Sequence, residues 1–425
     1  MKSQPADALY TNRSGFGFST DRGFNSNNTG GYMLTVMEML SHPDLSDFRL
    51  ITNRTGLNNR IRNAAILDWE SGEALDDAFF PGDFVVTTLA FYRDAPELAD
   101  LIIEALLEKN ISGLAIQDIY FSNVPEFISD LADEKHIPIF MFTEASVSDV
   151  VHALKSEMSF IEINQTATRR VREILYQTVD EADIDILARD INPFFTNNLI
   201  CAFGIPFDFE NKEVILEQMS TDYRNYLNAI EVDPDVSYSI LFFSVGICVL
   251  YTDQRSKRNL KDDIMKLIDQ FAVDLQDFAI GFSDQMGRLS DIGLAVKQAI
   301  YAAADAHMND EDFQDYCHMG ITRVLCPLRN DYWMKSYYND LINRLTEYDE
   351  KHDAHLFETI SDYVHCDGDI NAAAEVSYQH PNTIRYRIKK AQEILDISNA
   401  MDFRIQLFTL VRLSEINNLL LDWRL

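Results

Sequence analysis

The sequence predicts a multidomain protein of α/β plus all-α class: an N-terminal α/β domain, an α/β middle domain and a helical C-terminal domain. Three observations predict it. Strand-like and helix-like periods alternate from Met33 to about Leu154. A second group of apolar strands follows between Leu199 and about Leu325, and from Leu328 onward the apolar spacing is almost entirely helical. At 425 residues the chain is too long for one ordinary core, and 47% hydrophobic with 24% charged residues is the balance of a folded, soluble protein. The boundaries read as a flexible tail over 1–31, a first domain over 32–154, a leading helix and middle domain over 160–327, and a helical domain over 328–425.

The elements follow in order. Residues 1–31, with Ser14-Gly15-Phe16-Gly17, Asn25 to Asn28 and Gly30-Gly31, hold no sustained period and predict an unstructured leader. Phe84 to Leu89 reads as a buried strand after the turn Pro81-Gly82-Asp83. The helix from Pro96 places Leu98, Leu101, Ile102, Ala105 and Leu106 on one face. Gly113 to Ile116 is the next strand, Pro125 to Glu134 the next helix and Ile137 to Phe142 a further strand, an alternation that implies a parallel sheet. Phe160 to Ile191 reads as one long helical stretch, with Ile163, Ala167, Val171, Ile174 and Leu175 at helical spacing. In the middle domain the strands are Leu199 to Phe203, Ile240 to Phe243, Gly246 to Leu250 and Phe278 to Ser283. Its helices are Lys261 to Gln276 and the alanine-rich Ile292 to His307. Phe403 to Leu421 carries Leu407, Leu410, Val411, Ile416 and Leu420 on one stripe, wide enough to bury against other helices or a partner chain.

A formal charge of −32 argues against non-specific coating of nucleic acid or anionic membrane. It leaves room for a local basic helix, because exposed charges are screened over about 8 Å at physiological salt. Cys201, Cys248, Cys317, Cys326 and Cys366 are scattered with no Cys-x-x-Cys pair, which fits a reducing, cytoplasmic compartment. No signal peptide is legible. The longest apolar run, Tyr238 to Tyr251, is interrupted by Ser244 and Gly246 and falls short of the roughly 18 residues of a membrane span.

The stretch that points to function runs from Asp367 to Leu395. Asp369 is an N-cap for a short helix holding Ala372-Ala373-Ala374, and alanines let a second helix approach closely. Pro381 suits the first turn of that second helix, where its missing N–H costs nothing. Helix, short turn, helix results. On the second helix Ile384, Ile388, Ala391 and Leu395 share a face, while Asn382, Tyr386, Lys389 and Lys390 point away, flanked by Arg385 and Arg387. No acidic residue stands between Glu375 and Glu393. Four cations in that interval can pair phosphates, and Arg or Asn can make two-pronged contacts with base edges in the major groove. The same spacing also describes an ordinary core helix with a solvated basic face.

At these residues the chain resembles the PucR/CdaR family of bacterial regulators, whose C-terminal helix-turn-helix carries a phrase close to His-Arg-Asn-Thr-Leu-x-Tyr-Arg-Leu. Here the phrase reads His380-Pro381-Asn382-Thr383-Ile384-Arg385-Tyr386-Arg387-Ile388. Leu34-Thr35-Val36 through Phe80 to Thr88 is similar to the family's N-terminal sensory domain. Ile280-Gly281-Phe282-Ser283 and the following alanine-rich helix resemble its degenerate cyclase-like (GGDEF-like) middle domain. The resemblance implies a ligand-responsive, sequence-specific DNA-binding regulator of metabolic, catabolic-type genes. Three departures stand out: Pro381 replaces a usual Arg, Ser377 and Gln379 replace apolar residues, and Gln117 stands where many relatives carry a basic residue. They remove one DNA contact and leave the packing of the turn to Val376 and Tyr378.

Within that reading Asn382, Arg385, Tyr386 and Lys389 face base edges, and Thr383, Arg387 and Lys390 hold phosphate. Ligands of an α/β sheet gather at the carboxyl ends of its strands, which nominates Thr87, Thr88, Gln117, Asp118, Thr143 and Glu144. The competing role for Thr87 and Thr88 is to finish a strand and cap a helix. The expected partners are operator DNA, a small-molecule effector and a second copy of the chain, with no membrane. Neither a cofactor nor a metal is implied: His352 and His355, and Cys317-His318, lack a full ligand set in sequence range. Enzymatic activity is not expected, since Gly-Gly-Asp-Glu-Phe is missing and the hairpin candidate Ser244-Val245-Gly246 has no carboxylate for Mg²⁺. The rival reading is a metabolite-binding or protein-interaction module whose DNA-binding domain has lost function.

Overall fold

The computed structural model describes residues 33–421 apart from 41, 71–72, 178, 228–234, 256–258 and 272–276. The tail expected over 1–31 lies outside the described residues. Two compact units divide between Glu162 and Ile163.

The first unit opens with α1 (Val36–Met39), where Thr35 Oγ1 accepts from the Glu38 N–H and the Glu38 carboxylate accepts from the Thr35 N–H at 2.7 Å. There follow β1 (Arg49–Leu50), β2 (Asn63–Leu67), α2 (Glu73–Ala78), β3 (Asp83–Thr87), α3 (Pro96–Glu108), β4 (Gly113–Gln117), α4 (Glu126–Glu134), β5 (Ile139–Phe142) and α5 (Val147–Tyr176). The strands lie in the order β1-β5-β4-β3-β2. β2 to β5 are parallel and β1 closes the edge antiparallel to β5. Successive side chains alternate between two cores. Phe84 and Val86 face Val150, Val151 and Leu154, whereas Val85 faces Ile102, Leu106 and Ile128. The parallel sheet is as expected, but β1 and β2 add two strands to the three read from sequence. The buried face of α3 is Ala99, Ile102, Ile103, Leu106 and Leu107; Leu98 and Leu101 lie in solvent.

The long helix differs from its sequence reading at both ends. α5 begins at Val147 and stops at Tyr176, and α6 (Glu181–Ile191) is a separate helix. Ala167, Val171, Ile174 and Leu175 enter the core of the second unit, while Ile163 is exposed.

The second unit continues with β6 (Leu199–Pro206), α7 (Lys212–Leu227), β7 (Val236–Phe243), β8 (Gly246–Asp253), α8 (Leu260–Phe271), β9 (Phe278–Phe282), α9 (Ile292–Asn309) and β10 (Phe313–Asp315). The strand order is β10-β9-β6-β8-β7. β8 runs antiparallel between β6 and β7, so β6-α7-β7 is a split β-α-β unit, and β9 returns antiparallel beside β6. One face packs on α9, whose Ala295, Ala299, Ala302 and Ala303 are fully buried. On the other, Met219 of α7 and Ile268 of α8 approach Ala202, Val249 and Ile280.

Seven-residue α10 (Thr322–Leu328) leads to the helical part: α11 (Tyr332–His352), α12 (Leu356–His365), α13 (Ile370–Val376), α14 (Pro381–Leu395) and α15 (Ala400–Leu421). α15 joins two cores. Phe403, Leu407, Leu410 and Val411 pack with α11 to α14, and Leu413, Ile416 and Leu420 pack into the core around α9 and the sheet. No helix of the described residues is long and apolar enough to cross a membrane.

The alanine face of α9 lets β9 press directly on the helix backbone, and Gly281 is the point of contact. A Cβ there would lie 1.9 Å from the Ala303 nitrogen and 2.3 Å from the Ala299 oxygen. Gly281→Ala must therefore push strand and helix apart, at a cost of about 3 kcal/mol or more, the upper end for overpacking. Urea unfolding followed by far-UV circular dichroism should show a lowered midpoint; an unchanged midpoint contradicts this packing.

Candidate DNA-binding site

Helices α12, α13 and α14 form a small bundle held by α11 and α15. Tyr363 and Ile360 of α12, Ala373 and Ala374 of α13, and Ile384, Ile388, Ala391 and Leu395 of α14 share one core. Gly368, at φ +80°, reverses the chain between α12 and α13 and donates its N–H to the Tyr363 carbonyl at 2.8 Å. Asp369 then caps α13, its Oδ1 accepting from the Asn371 and Ala372 N–H groups at 2.7 and 3.2 Å.

The turn between α13 and α14 is not packed by Val376 and Tyr378 as expected, since these are 50% and 89% exposed. It is held by hydrogen bonds instead. The Ser377 hydroxyl donates to the Ala373 carbonyl at 2.6 Å and the Gln379 N–H to the Ala374 carbonyl at 2.9 Å. At 377 a polar side chain makes the bond back to α13, and at 379 the backbone makes it. Tyr378 takes a left-handed conformation at φ 52°. His380 caps α14, its Nδ1 accepting from the Asn382 N–H at 3.1 Å, and Pro381 occupies the first helical position. Sequence reasoning missed His380, whose ring serves here as an N-cap in place of the usual Ser, Thr, Asp or Asn.

Asn382, Arg385, Tyr386 and Lys389 lie together on the exposed side of α14. Arg385 Nη1 donates to Asn382 Oδ1 at 2.7 Å, which holds the two side chains as a pair. Thr383 is half-buried. Arg387 and Lys390 turn toward the bundle: Arg387 Nη1 donates to Thr359 Oγ1 of α12 at 3.1 Å, and Lys390 Nζ pairs with Glu393 at 3.2 Å beside the Tyr348 ring. The exposed basic face thus rests on Arg385 and Lys389.

The six residues nominated in the first unit gather at one sheet edge, because parallel β2 to β5 all end there. Thr87 Oγ1 donates to the Leu67 carbonyl at 2.8 Å and accepts from the Leu89 N–H at 2.9 Å, and Thr88 Oγ1 accepts from the Ala90 N–H at 3.1 Å. The Gln117 amide donates to the Ala145 carbonyl at 2.8 Å. The Asp118 N–H donates to the Phe142 carbonyl, and the N–H groups of Thr143 and Glu144 both reach Asp47 Oδ2 at 2.7 Å. Trp69, Phe91, Ile119 and Tyr120, which sequence reasoning missed, stand exposed in the loops that follow these strands.

Two stretches of the chain match known families. Residues 38–171 match the family described as purine catabolism regulatory protein-like, PucR, and residues 356–413 match the PucR C-terminal helix-turn-helix domain. The chain carries a PucR family domain and a PucR C-terminal helix-turn-helix domain. Among curated relatives it is 23% identical over 126 residues to the DNA-binding transcriptional activator AdeR of Bacillus subtilis, covering 29% of this chain and 30% of that one. It is 24% identical over 198 residues to the proline-responsive transcriptional activator PutR of the same organism, covering 44% and 47%. The chain thus spans less than half the length of these relatives. A crystal structure of a regulator of polyketide synthase expression from Bifidobacterium adolescentis is similar at 17% identity and a TM-score of 0.28, covering 60% of this chain and 98% of that one.

The matched helix-turn-helix is tied to α9 by a polar chain as well as by α15. His365 Nε2 of α12 pairs with Glu415 Oε1 at 2.6 Å, Glu415 Oε2 accepts from Arg412 Nη1 at 3.1 Å, and Arg412 Nη2 reaches Asn309 at the end of α9. The hydrogen bond to Glu415 raises the His365 imidazole above its ordinary 6.5; burial and Arg412 act the other way. A raised folded-state value stabilises the fold fully below about pH 6.5 and is lost as pH rises through the folded value. Urea midpoints should therefore fall as pH is raised from 6 toward 8, and Glu415→Gln should flatten that slope. An equal slope in the variant contradicts the pairing.

Proposed function

We propose that this chain is a ligand-responsive transcription regulator that binds operator DNA sequence-specifically through α14 and controls metabolic, catabolic-type genes. The observation that carries it is the exposed face of Asn382, Arg385, Tyr386 and Lys389 on the second helix of a matched helix-turn-helix. Arg385 and Asn382 carry the donors and acceptor for base edges, and Lys389 supplies a phosphate contact or a guanine contact. Thr383 and the donors of Arg387 and Lys390 left over from their bundle contacts complete the phosphate set. The names of the two activator relatives support the same reading.

The protein acts as a homodimer in the cytoplasm, since one recognition helix reads only a short half-site. Its small-molecule effector binds at the carboxyl edge of the first sheet. There the side chains of Thr87, Thr88 and Gln117 shape the loops, and Asp118, Thr143 and Glu144 lie at the same strand ends as the loops that carry the exposed Trp69, Phe91 and Tyr120. The middle domain is a degenerate cyclase-like domain without catalytic work of its own. Its split β-α-β order supports that descent, and the two-residue hairpin between Phe243 and Gly246 presents no carboxylate.

The test is DNA affinity of Arg385→Ala/Lys389→Ala, measured by fluorescence anisotropy across a salt series. Both side chains are exposed, so the fold should persist by circular dichroism. Affinity should fall by at least about tenfold and the slope of log affinity against log salt should shrink by about 1 to 2. Unchanged affinity and slope would overturn the assignment and favour a protein-interaction module instead.

A further inference from the structure

We propose that α14 selects operators placing a guanine in the major groove opposite Arg385, with Asn382 as the residue that positions the arginine; this choice of base rests on the DNA-binding reading. The start of α14 spends its acceptors within the helix. Asn382 Oδ1 accepts from Arg385 Nη1 at 2.7 Å, and His380 Nδ1 accepts from the Asn382 N–H at 3.1 Å. A neutral His380 ring that accepts at Nδ1 carries its proton on Nε2, which is then a donor. No carboxylate stands in residues 376–392. The exposed side of α14 therefore offers a base edge chiefly N–H groups: the Asn382 amide nitrogen, the guanidinium donors that Arg385 has left, and the Lys389 ammonium. Acceptors on exposed side chains of this stretch remain at the Tyr386 hydroxyl and, ahead of the helix in the turn, at Tyr378 and Gln379.

That inventory fits one base. Guanine alone presents two acceptors, O6 and N7, and no donor in the major groove, whereas adenine pairs a donor with an acceptor and is read by the oxygen and nitrogen of one amide together. For Asn382 to read adenine in this way, its oxygen must leave Arg385. Guanine asks for donors only, which the helix supplies as it stands. The planar guanidinium fork matches O6 and N7, and an arginine already held by its neighbour gives up less rotamer freedom on binding than a free one. The other arginine of α14 is engaged elsewhere. Arg387 is half-buried and donates to Thr359 of α12 at 3.1 Å, so Arg385 is the exposed arginine of this helix.

Selection from a random duplex pool by the full chain at physiological salt, with and without added metabolites, tests the assignment. Wild type should enrich a motif with a guanine position favoured over adenine by at least about tenfold, and Arg385→Ala should reduce that preference below about threefold. Asn382→Ala, which frees the arginine, should lower the preference by about threefold or more, and Asn382→Asp, which keeps an oxygen for Arg385, should restore it at weaker overall affinity. Both positions are exposed, so circular dichroism should be unchanged. On the wild-type site, inosine keeps O6 and N7 and should bind within about twofold, while 7-deazaguanine lacks N7 and should bind about tenfold more weakly. A reproducible motif without guanine, a guanine preference that survives Arg385→Ala, or 7-deazaguanine bound as well as inosine would overturn the base assignment and leave the DNA-binding reading standing. Wild-type discrimination in Asn382→Ala would remove Asn382 from the positioning role. A wild type that enriches no motif under either condition sinks the DNA-binding reading itself.

Discussion

Helix α15 belongs to two hydrophobic cores at once, and the placement of the recognition helix follows from that sharing. Its first half, from Phe403 to Val411, closes the bundle that holds α13 and α14; its second half, from Leu413 to Leu420, is buried against α9 and the middle sheet. Burial of each Leu or Ile stabilises by about 1.5–3 kcal/mol, so neither half can leave its core without a large loss. The helix-turn-helix accordingly continues from the second sheet and α9 within one compact unit. The His365–Glu415–Arg412–Asn309 chain runs along the same helix and ties α12 to the end of α9. A rearrangement of the middle sheet therefore has a mechanical path to α13 and α14.

Electrostatics set α14 apart from the rest of so acidic a chain. The net charge of −32 opposes non-specific binding to anionic surfaces, while the interval without carboxylates, residues 376–392, gives α14 a local field of opposite sign. Within it the structure divides the cations by task. Arg385 and Lys389 face outward, whereas Arg387 reaches Thr359 and Lys390 reaches Glu393, so two of the four steady the bundle. On the proposed DNA-binding reading, fewer free cations imply weaker phosphate anchoring and a greater share for base-edge contacts by Asn382 and Arg385.

Much of the recognition element was legible because local rules coincide there. Asp369 caps one helix, Pro381 starts the next, and Ile384, Ile388, Ala391 and Leu395 repeat at helical spacing; each does in the structure what its position suggests. The turn was less legible. Ser377 looks like a loss of apolar packing until its hydroxyl bond to Ala373 is seen, and His380 is an uncommon cap. Long-range contacts were hidden altogether. Arg387 is spaced like a surface cation, but only the fold brings Thr359 within 3.1 Å of it. In the first unit, β2 escaped notice because Asn63-Ala64-Ala65-Ile66-Leu67 carries no β-branched run, and its pairing with β3 is what makes it a strand. The start of α5 did leave a signal: Ser146 and Asp149 form the spacing of a capping box, and the Asp149 N–H donates to Ser146 Oγ at 3.1 Å.

The central claim is that α14 reads a sequence, beyond merely meeting phosphate. The most direct measurement is binding of the full chain to DNA from upstream of its own coding region, by fluorescence anisotropy at physiological salt against excess DNA of the same composition in scrambled order. The account predicts saturable binding that survives the scrambled competitor and weakens steeply as salt rises. Binding that the scrambled DNA displaces as readily as the native sequence, with or without added metabolites, would contradict it.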